Sequence, residues 1–299
     1  MLQHGNAVPT PPERVVVIGA GGFVGNAIAT RLEHDNVSVL RLGRHDVDLL
    51  TAGAAERLRG LLYPSDVLVA ASALAPCRTA EMLRDNMVLA AALVMACTAP
   101  LAHVVNISSD AVYADSSEPL TESSPKAPDS LHGVMHLARE IMFCSAVAAP
   151  LLMLRPSLLY GAADPHNDYG PNRFLRLAAR GEPIVLFGNG EERRDHVLID
   201  DVAELAARVI YCRSTGALNV ATGTVTSFRD VADMVVRGTD RAVPIIDTPR
   251  TQPMPHNGYR AFDTARCRRS YSDFLFTPLL DGLRRTIAAR KVPVEVPRS

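Results

Sequence analysis

The sequence predicts an α/β protein built on a doubly wound parallel sheet, with a smaller lobe interleaved towards its C-terminus. Short apolar, β-branched runs alternate with segments of helical spacing over the first 157 residues, and a glycine-rich turn follows the first run. After residue 160 the chain changes into a stretch rich in Gly, Pro, Asn and Asp. Alternation of this kind is typical of parallel strands joined by right-handed helical crossovers.

Composition limits the class of protein. The chain has 299 residues, which is sufficient for one nucleotide-binding domain and a smaller second lobe. Its 47% hydrophobic and 21% charged residues are ordinary for a globular enzyme. A formal net charge of -1 without a block of like charges gives no indication of a nucleic-acid partner or an acidic-membrane partner.

Cysteine usage and the N-terminus bear on the compartment. The five cysteines are scattered without CxxC spacing, which indicates reduced and mostly buried thiols. No segment approaches the ~18 uninterrupted apolar residues of a membrane helix. Residues 1–12 lack the apolar core of a secretory signal, so we expect a disordered lead-in and a cytoplasmic protein.

Each element follows from its apolar periodicity. Strands are predicted at residues 14–19, 37–42, 66–70, 102–108 and 151–155. Helices are predicted at residues 23–34, 52–62, 81–99, 130–148 and 173–180. Residues 115–128 form a proline- and serine-rich loop. Residues 197–211 and 217–220 are predicted to return to the sheet, and residues 244–255 to help build the second lobe.

The glycine-rich turn is the first candidate site. The segment Gly19-Ala-Gly-Gly22-Phe-Val-Gly25 joins the first strand to the first helix. Gly19 permits a tight turn, Gly22 lets the backbone approach a pyrophosphate, and Gly25 lets helix and strand pack closely. The helix N-terminus then presents free N–H groups to the phosphates. A glycine-rich turn without ligand is the alternative, but the strand–turn–helix setting favours a dinucleotide site.

The end of the second strand bears on which cofactor is used. Folds that prefer NAD place an acid there to hold the ribose diol. This chain instead has Arg41 and Arg44, whose guanidinium groups can clamp a 2′-phosphate. The sequence therefore favours NADP over NAD, and solvated loop arginines are the alternative interpretation.

Several motifs follow at intervals along the rest of the chain. They are Ile107-Ser-Ser109-Asp110-Ala-Val-Tyr113, Arg155-Pro156, Tyr160-Gly161, Gly188-Asn-Gly-Glu-Glu-Arg-Arg194-Asp195, Asn219-Val220 and Arg260-Ala-Phe-Asp263. With the glycine turn, they make the chain resemble the extended short-chain dehydrogenases/reductases, the NAD-dependent epimerase/dehydratase family acting on nucleotide sugars. The resemblance runs from residue 14 to residue 285, and residues 39–50 are most similar to the NADP-using synthase/reductase branch.

The resemblance assigns roles to individual residues. Asp48 and Leu49 would border the adenine, Ala70 and Ala71 would line the cofactor after the third strand, and Asn86 matches the family's helix asparagine. The full set of expected cofactor contacts is Gly19, Gly22, Phe23, Val24, Gly25, Arg41, Arg44, Asp48, Leu49, Ala70, Ala71, Asn86 and His136. The expected substrate contacts are Asn172, Arg194 and Arg260, the two arginines facing a diphosphate.

The chain departs from the family at the motif that carries the chemistry. Members have Tyr-x-x-x-Lys, in which the lysine lowers the tyrosine pKa and holds the nicotinamide ribose while the phenolate shuttles a proton. Here His132 stands at the tyrosine position and His136 at the lysine position. Ser109 matches the family's catalytic Ser/Thr.

Three interpretations of the histidine pair are open. In the first and favoured one, His132 transfers the proton itself and His136, one helical turn on, donates to the ribose. In the second, the protein binds its ligands without turning them over. In the third, the pair is half of a metal site, although Gly133 stands where zinc peptidases carry glutamate and no third ligand is obvious.

Asp110 narrows the reaction. Nucleotide-sugar dehydratases carry an Asp-Glu pair at this position, and this chain has Asp110-Ala111. The missing acid argues against dehydration and favours a reductive step, and a loop-capping turn residue is the alternative for Asp110. We expect an NAD(P)-dependent reductase or epimerase of a nucleotide-linked keto sugar, with Ser109, Asp110, His132 and His136 as catalytic residues.

The predicted organisation follows from these assignments. Residues 13–157 with 197–221 would form the dinucleotide-binding domain, and residues 158–196 with 222–299 the substrate lobe. A ligand cleft is expected between the lobes, beyond the carboxyl ends of the strands. The family resemblance also implies a homodimer through the helices at residues 81–99 and 130–148.

Overall fold

The computed structural model of the chain describes residues 2–98, 100–239 and 242–291. Residue 1 of the expected lead-in, residue 99 of the predicted helix 81–99, and residues 240–241 and 292–299 of the expected lobe lie outside this description. The strands are β1 (Gln3–His4), β2 (Arg14–Ile18), β3 (Ser38–Leu42), β4 (Val67–Ala70), β5 (His103–Ile107), β6 (Leu151–Pro156), β7 (Leu158–Tyr160), β8 (Ile184–Phe187), β9 (Arg193–Leu198), β10 (Ser214–Val220), β11 (Val225–Ser227), β12 (Ile245–Thr248) and β13 (Tyr259–Arg260). The α-helices are α1 (Phe23–His34), α2 (Ala54–Arg59), α3 (Ala80–Ala96), α4 (Leu131–Ala146), α5 (Pro171–Arg180), α6 (Ile199–Tyr211), α7 (Phe228–Gly238), α8 (Ala265–Ser270) and α9 (Leu279–Lys291).

Seven strands form the main sheet, in the order β1-β10-β6-β5-β4-β2-β3. All neighbours in this sheet run parallel except β1, which is antiparallel to β10. From β2 the chain proceeds first to β3 on one side and then to β4 on the other. Such a change of direction opens a crevice beyond the strand ends, where ligands bind in folds of this class. The predicted doubly wound parallel sheet is confirmed.

Helices cover both faces of the sheet. Val15 and Val17 of β2 pack into the layer that contains α1 and α6. Val16 and Ile18 pack into the opposite layer, with α2, α3 and α4. Because side chains alternate across a strand, an unbroken apolar run such as β2 serves two cores at once.

The segment 197–211 was predicted to return to the sheet, and that prediction is wrong. Its first residues end β9, which belongs to a second sheet, and the remainder forms α6 against α1. Apolar residues of α6 recur at helical spacing, as at Ile199, Val202 and Val209, and all three are buried. Acidic residues in its first turn favour the helix further, because they complement the helix dipole.

The smaller lobe surrounds β9, which pairs in parallel with β7 and β13 and antiparallel with β11. A separate parallel pair joins β8 to β12, and helices α5, α7 and α9 pack over a third core. Part of the segment assigned to this lobe packs elsewhere: Cys267, Tyr271 and Phe274 join the core of the main domain beside α6 and β10.

The N-terminal segment does not stay outside the fold, in contrast to the expected disordered lead-in. Gln3 and His4 pair with Thr215 and Ser214 at the edge of the main sheet. The backbone N–H of Thr10 and the side-chain amide of Asn6 donate to the carbonyl of Tyr211, at 3.0 and 2.8 Å. The segment is held mainly by backbone hydrogen bonds, which leave no apolar pattern in the sequence.

The five thiols are free, and four of them are buried while Cys144 is exposed. Within the described ranges, no helix is both long enough and apolar enough to cross a membrane.

Candidate active site

The main cleft lies where the two lobes meet, beyond the carboxyl ends of β2, β4 and β5. It consists of a cavity of about 680 Å³ and a smaller one of about 210 Å³. Gly22, Ala71 and Ala73 line both cavities, so the two spaces form one elongated cleft.

The glycine turn leaves no room for a side chain at Gly19 or at Gly25. Gly19 has φ +87°, and a Cβ on it would lie 2.6 Å from the backbone nitrogen of Ser72. A Cβ on Gly25 would lie 2.2 Å from the carbonyl oxygen of Gly19. Gly22 begins α1 without a side-chain cap, and Phe23 and Val24 beside it line the larger cavity. The free N–H groups of α1 therefore border the cleft in a manner that fits a pyrophosphate.

The smaller cavity lies beside the end of β3. Arg44, Asp48 and Leu49 line it. The Arg44 side chain is 73% exposed and its Nε lies 3.3 Å from an Asp48 carboxylate oxygen, so the side chain is free to reorient towards a ligand.

Arg41, which was expected to help clamp a 2′-phosphate, does not line either cavity of the cleft. Its Nε and Nη2 donate to the two carboxylate oxygens of Glu33, both at 2.7 Å, and its Nη1 donates to Asn26 Oδ1 at 2.8 Å. The side chain is thus bound to the outer face of α1. The sequence could not distinguish the two arginines because both lie at the end of the same strand, Arg41 within β3 and Arg44 just after it.

Two other expected cofactor contacts lie behind the cleft wall. Ala70 is fully buried, while the next residue, Ala71, lines both cavities. The Asn86 side chain accepts from the N–H of Leu74 at 2.9 Å and donates to the Leu74 carbonyl at 3.0 Å. Asn86 therefore fixes the loop after β4 instead of facing the cleft.

The histidine pair lies in the first two turns of α4. Ser130 caps this helix by accepting from the N–H of Gly133 at 3.2 Å. A Cβ on Gly133 would lie 2.2 Å from the carbonyl oxygen of Ala111, so glycine lets the helix approach the turn that follows β5. As a result His132 and His136 line the same cavity as Ser109 and Asp110.

Burial keeps the two imidazoles neutral. His136 is only 6% exposed and its Nδ1 has no hydrogen-bond partner. Desolvation, with the Arg139 charge and the neighbouring His132 imidazole, holds the His136 pKa well below its usual range. Desolvation also lowers the pKa of His132, against the opposing effect of Asp110 and Asp168. The fixed positive charge of the family's lysine is therefore not reproduced by His136.

Ser109 is arranged for hydrogen bonding inside the cleft. Its hydroxyl donates to Asp110 Oδ1 at 3.4 Å and accepts from the N–H of Ala111 at 3.2 Å. The preceding Ser108 also lines the cavity and donates to the buried Glu140 carboxylate at 2.6 Å. Ser108 was not singled out from the sequence, because a second serine in the motif carries no distinct signal.

The two arginines that were expected to contact substrate, Arg194 and Arg260, differ in position. Arg194 lines the larger cavity with Asn172, and its Nη1 lies 3.3 Å from a carboxylate oxygen of the buried Glu192. Its Nε is buried without a partner. Asn172 accepts from the N–H of Gly161 at 3.1 Å, which fixes the start of the loop above the cavity.

Arg260, which was expected to contact a diphosphate, does not line the cavity. It is 2% exposed, and its Nε donates to Asp110 Oδ2 at 2.8 Å. Its Nη1 lies 3.2 Å from Asp115 Oδ1. Arg260 therefore holds the Asp110 turn from behind.

A loop between β7 and α5 closes over the larger cavity and was not predicted to be functional. His166 Nε2 lies 3.0 Å from the carbonyl oxygen of Ala75, and Asp168 pairs with Arg78. Both contacts cross the cleft to the loop after β4. Glycines, prolines and polar residues in this loop predict only irregular structure, so the sequence carried no signal for these contacts.

No metal centre emerges around the histidine pair. Within residues 2–98, 100–239 and 242–291, three or more His, Cys, Asp or Glu side chains are nowhere grouped so that they could hold an ion.

Comparisons with known proteins agree with this architecture. The model of the NAD dependent epimerase/dehydratase family matches residues 15–221, more than half of the chain. A dTDP-4-dehydrorhamnose reductase of Streptomyces griseus is 27% identical over 230 residues, 72% of each chain. A UDP-glucose 4-epimerase of Mycolicibacterium smegmatis is 26% identical over 92% of this chain and 97% of its own.

Solved structures share the fold. A Thermus thermophilus UDP-glucose 4-epimerase in complex with NAD superposes with a TM-score of 0.83 at 22% identity, over 94% of this chain and all of its own. The protein described here is therefore an enzyme of the NAD dependent epimerase/dehydratase family, that is, an extended short-chain dehydrogenase/reductase.

Proposed function

We propose that the protein is an NAD(P)-dependent reductase or epimerase acting on a nucleotide-linked keto sugar. The observation that carries the proposal is the joint placement of Ser109 and His132 in a cavity that also borders the glycine turn. The reductase and epimerase among its relatives support a sugar nucleotide as substrate. The absence of glutamate after Asp110 supports a reaction without loss of water.

We assign cofactor binding to the smaller cavity and to the wall that both cavities share. The N-terminus of α1 would hold the pyrophosphate, and Asp48 and Leu49 would border the adenosine. Arg44, as the basic side chain of the smaller cavity, is the group through which NADP would be preferred. The bound nicotinamide supplies a hydride acceptor or donor to the reaction.

We assign the chemistry at the sugar to three side chains of the larger cavity, Ser109, His132 and His136. Ser109 would donate a hydrogen bond to the sugar oxygen, and His132 would exchange a proton with that oxygen. Near neutral pH a histidine does this without a partner that lowers its pKa. His136 would donate through its cleft-facing ring nitrogen to the nicotinamide ribose.

Substrate binding falls to Arg194 and Asn172 at the opposite side of the cavity. The buried, unpartnered Nε of Arg194 suits a diphosphate oxygen, which would supply the acceptor this group lacks.

The first test is a titration with NADPH and NADH, followed by nicotinamide fluorescence, and then a screen of keto-sugar nucleotides for cofactor oxidation. Tighter binding of NADPH, lost in Arg44→Ala, is expected. Binding without oxidation of cofactor by any keto-sugar nucleotide would favour a non-catalytic binding protein instead. Binding of neither dinucleotide would contradict the proposal.

We also propose a homodimer through α3 and α4. Apolar side chains stand exposed on the two neighbouring helices, namely Val88 and Met95 on α3 and Leu131, Val134 and Ile141 on α4. Light scattering should report a dimer that Ile141→Glu converts to monomer, and a monomeric native protein would contradict this.

A further inference from the structure

Arg139 is a buried cation that the proposed chemistry does not use. It lies on α4, one turn beyond His136, and is 1% exposed. Its Nε donates to Asn106 Oδ1 at 2.6 Å and its Nη2 to the carbonyl of Ala70 at 2.8 Å, while its Nη1 donates to the carbonyl of Ser72. All three acceptors are neutral oxygens.

The absence of a carboxylate partner sets Arg139 apart from other buried arginines. Arg155 forms two hydrogen bonds of 2.7 Å with the Glu140 carboxylate, and Arg260 pairs with Asp110 at 2.8 Å. For Arg139 the described residues provide no ion pair. Burial of an unpaired charge is costly, so the fold carries this charge at the expense of stability.

The charge persists at neutral pH. Desolvation lowers the Arg139 pKa to about 10, which still leaves the guanidinium protonated. The nearest ionisable thiol, Cys97, has its own pKa raised to about 12 by burial and so remains neutral. His136 is neutral as well, as its lowered pKa shows. The neighbouring Glu140 is paired with Arg155, so Arg139 is the buried charge of this part of α4 that has no counter-charge among the described residues.

The three oxygens that Arg139 contacts adjoin the cleft wall. Ala70 and Ser72 flank Ala71, which lines both cavities, and Asn106 precedes Ile107, which lines the larger one. Arg139 therefore lies directly behind the wall beside His136, the residue at the position of the family's lysine. It does not itself line either cavity.

We propose that Arg139 supplies the fixed positive charge of this site and makes it bind the reduced, uncharged nicotinamide more tightly than the oxidised, cationic one. The inference rests on the proposed cofactor site. Two positive charges repel through the wall, whereas the neutral reduced ring feels no such repulsion. Unit charges about 10–15 Å apart at an effective dielectric constant of about 20 correspond to roughly a five- to twentyfold difference in affinity. Arg139 acts as a positioning residue, because it reaches the ligand only through the wall.

The test measures dissociation constants for NADP⁺, NADPH, NAD⁺ and NADH in the wild type and in Arg139→Met, Arg139→Gln and Arg139→Lys. The ratio of the oxidised to the reduced constant is expected to fall roughly five- to twentyfold in Arg139→Met and Arg139→Gln. Arg139→Lys keeps the charge but not the three hydrogen bonds, and should retain most of the wild-type ratio. Arg208→Met, remote on α6, is the matched control and should leave the ratio unchanged.

Two outcomes would overturn this inference and leave the proposed function standing. A purely structural role would weaken both redox forms equally in all three Arg139 variants and leave the ratio constant. A wild-type ratio at or below one would also contradict it, and this measurement needs no variant to fold. Failure of the wild type to bind either dinucleotide in either form would overturn the proposed function, and this inference with it.

Discussion

The imidazole rings of His132 and His136 meet edge to face, with their centroids 4.7 Å apart and their planes at 90°. His132 is half-buried and also accepts, at Nδ1, from the N–H of Cys77 at 3.4 Å. That contact leaves the other ring nitrogen of His132 for the cleft. The pair therefore offers two neutral imidazoles where the family has a phenol and an ammonium.

Replacing His132 by alanine should lower turnover roughly 10²–10⁴-fold, the usual contribution of a general acid or base. The measurement is kcat for cofactor oxidation with an active keto-sugar nucleotide. His34→Ala, at the exposed end of α1, is the control and should retain full turnover. Wild-type turnover in His132→Ala would show that another group moves the proton.

Restoring the family's lysine at position 136 should be costly, because its ammonium would be buried near the Arg139 guanidinium. We expect His136→Lys to lower the free energy of unfolding by about 2 kcal/mol or more, and by less in an Arg139→Met background. Urea unfolding of the two single variants, the double variant and the wild type gives the coupling. Additive effects would mean that the two positions do not interact electrostatically.

Arg260 and Arg194 should respond differently to substitution. Arg260→Met leaves the buried Asp110 carboxylate without its cation, and should cost about 3–5 kcal/mol of unfolding free energy. Asp110→Asn in the same chain should recover part of this loss. A stable Arg260→Met protein with a raised KM would instead identify Arg260 as a substrate contact.

Arg194→Ala should raise KM for a diphosphate-linked substrate roughly 10- to 100-fold with little change in stability.

Stability should fall in mild acid because of buried histidines such as His103 and His196, in addition to His136 of the cleft. Desolvation lowers the pKa of His103 to about 4 and that of His196 to about 3. Below pH 6.5, the ordinary pKa of an imidazole, these histidines are protonated in the unfolded chain but not in the folded chain. The free energy of unfolding therefore falls as the pH drops towards the folded-state pKa values. Asp195 has the opposite effect, because burial raises its pKa from the ordinary 3.8 to about 6. Between pH 3.8 and pH 6 the folded chain therefore binds one proton at Asp195 that the unfolded chain does not.

The contribution of one histidine can be isolated. His196→Leu should remove about 2 kcal/mol of the loss in stability between pH 7 and pH 5. Urea unfolding at both pH values measures the difference, and His34→Leu at an exposed site serves as control. An unchanged pH dependence in His196→Leu would mean that this imidazole already takes up its proton in the folded state.

The sequence predicted those parts of the fold that depend on local pattern. The bounds of α1 match the prediction at residues 23–34, because a glycine turn starts the helix and Asp35 and Asn36 follow its last residue. The prediction for the segment that forms α6 was wrong because a run of aliphatic residues is compatible with a buried strand and with a buried helix. Only packing against α1 decides between them.

The site was predictable as a set of positions but not as a set of contacts. The motifs predicted that Ser109 and His132 belong to one site, and in the structure both residues line the larger cavity. Arg41 and Arg260 occupy the expected positions in the chain, yet each is engaged by carboxylates that lie elsewhere in the sequence. Which cations are free for a ligand depends on tertiary ion pairs, and no single-chain motif encodes those.

The short strand β1 has a practical consequence for handling this protein. Its pairing with Thr215 and Ser214 covers the first part of the outer edge of β10, whose N–H and C=O groups could otherwise recruit a strand from another molecule. A variant shortened by its first ten residues would expose that edge, and we expect it to self-associate during purification. Affinity tags are better placed away from this end of the chain, where they cannot pull β1 from the sheet.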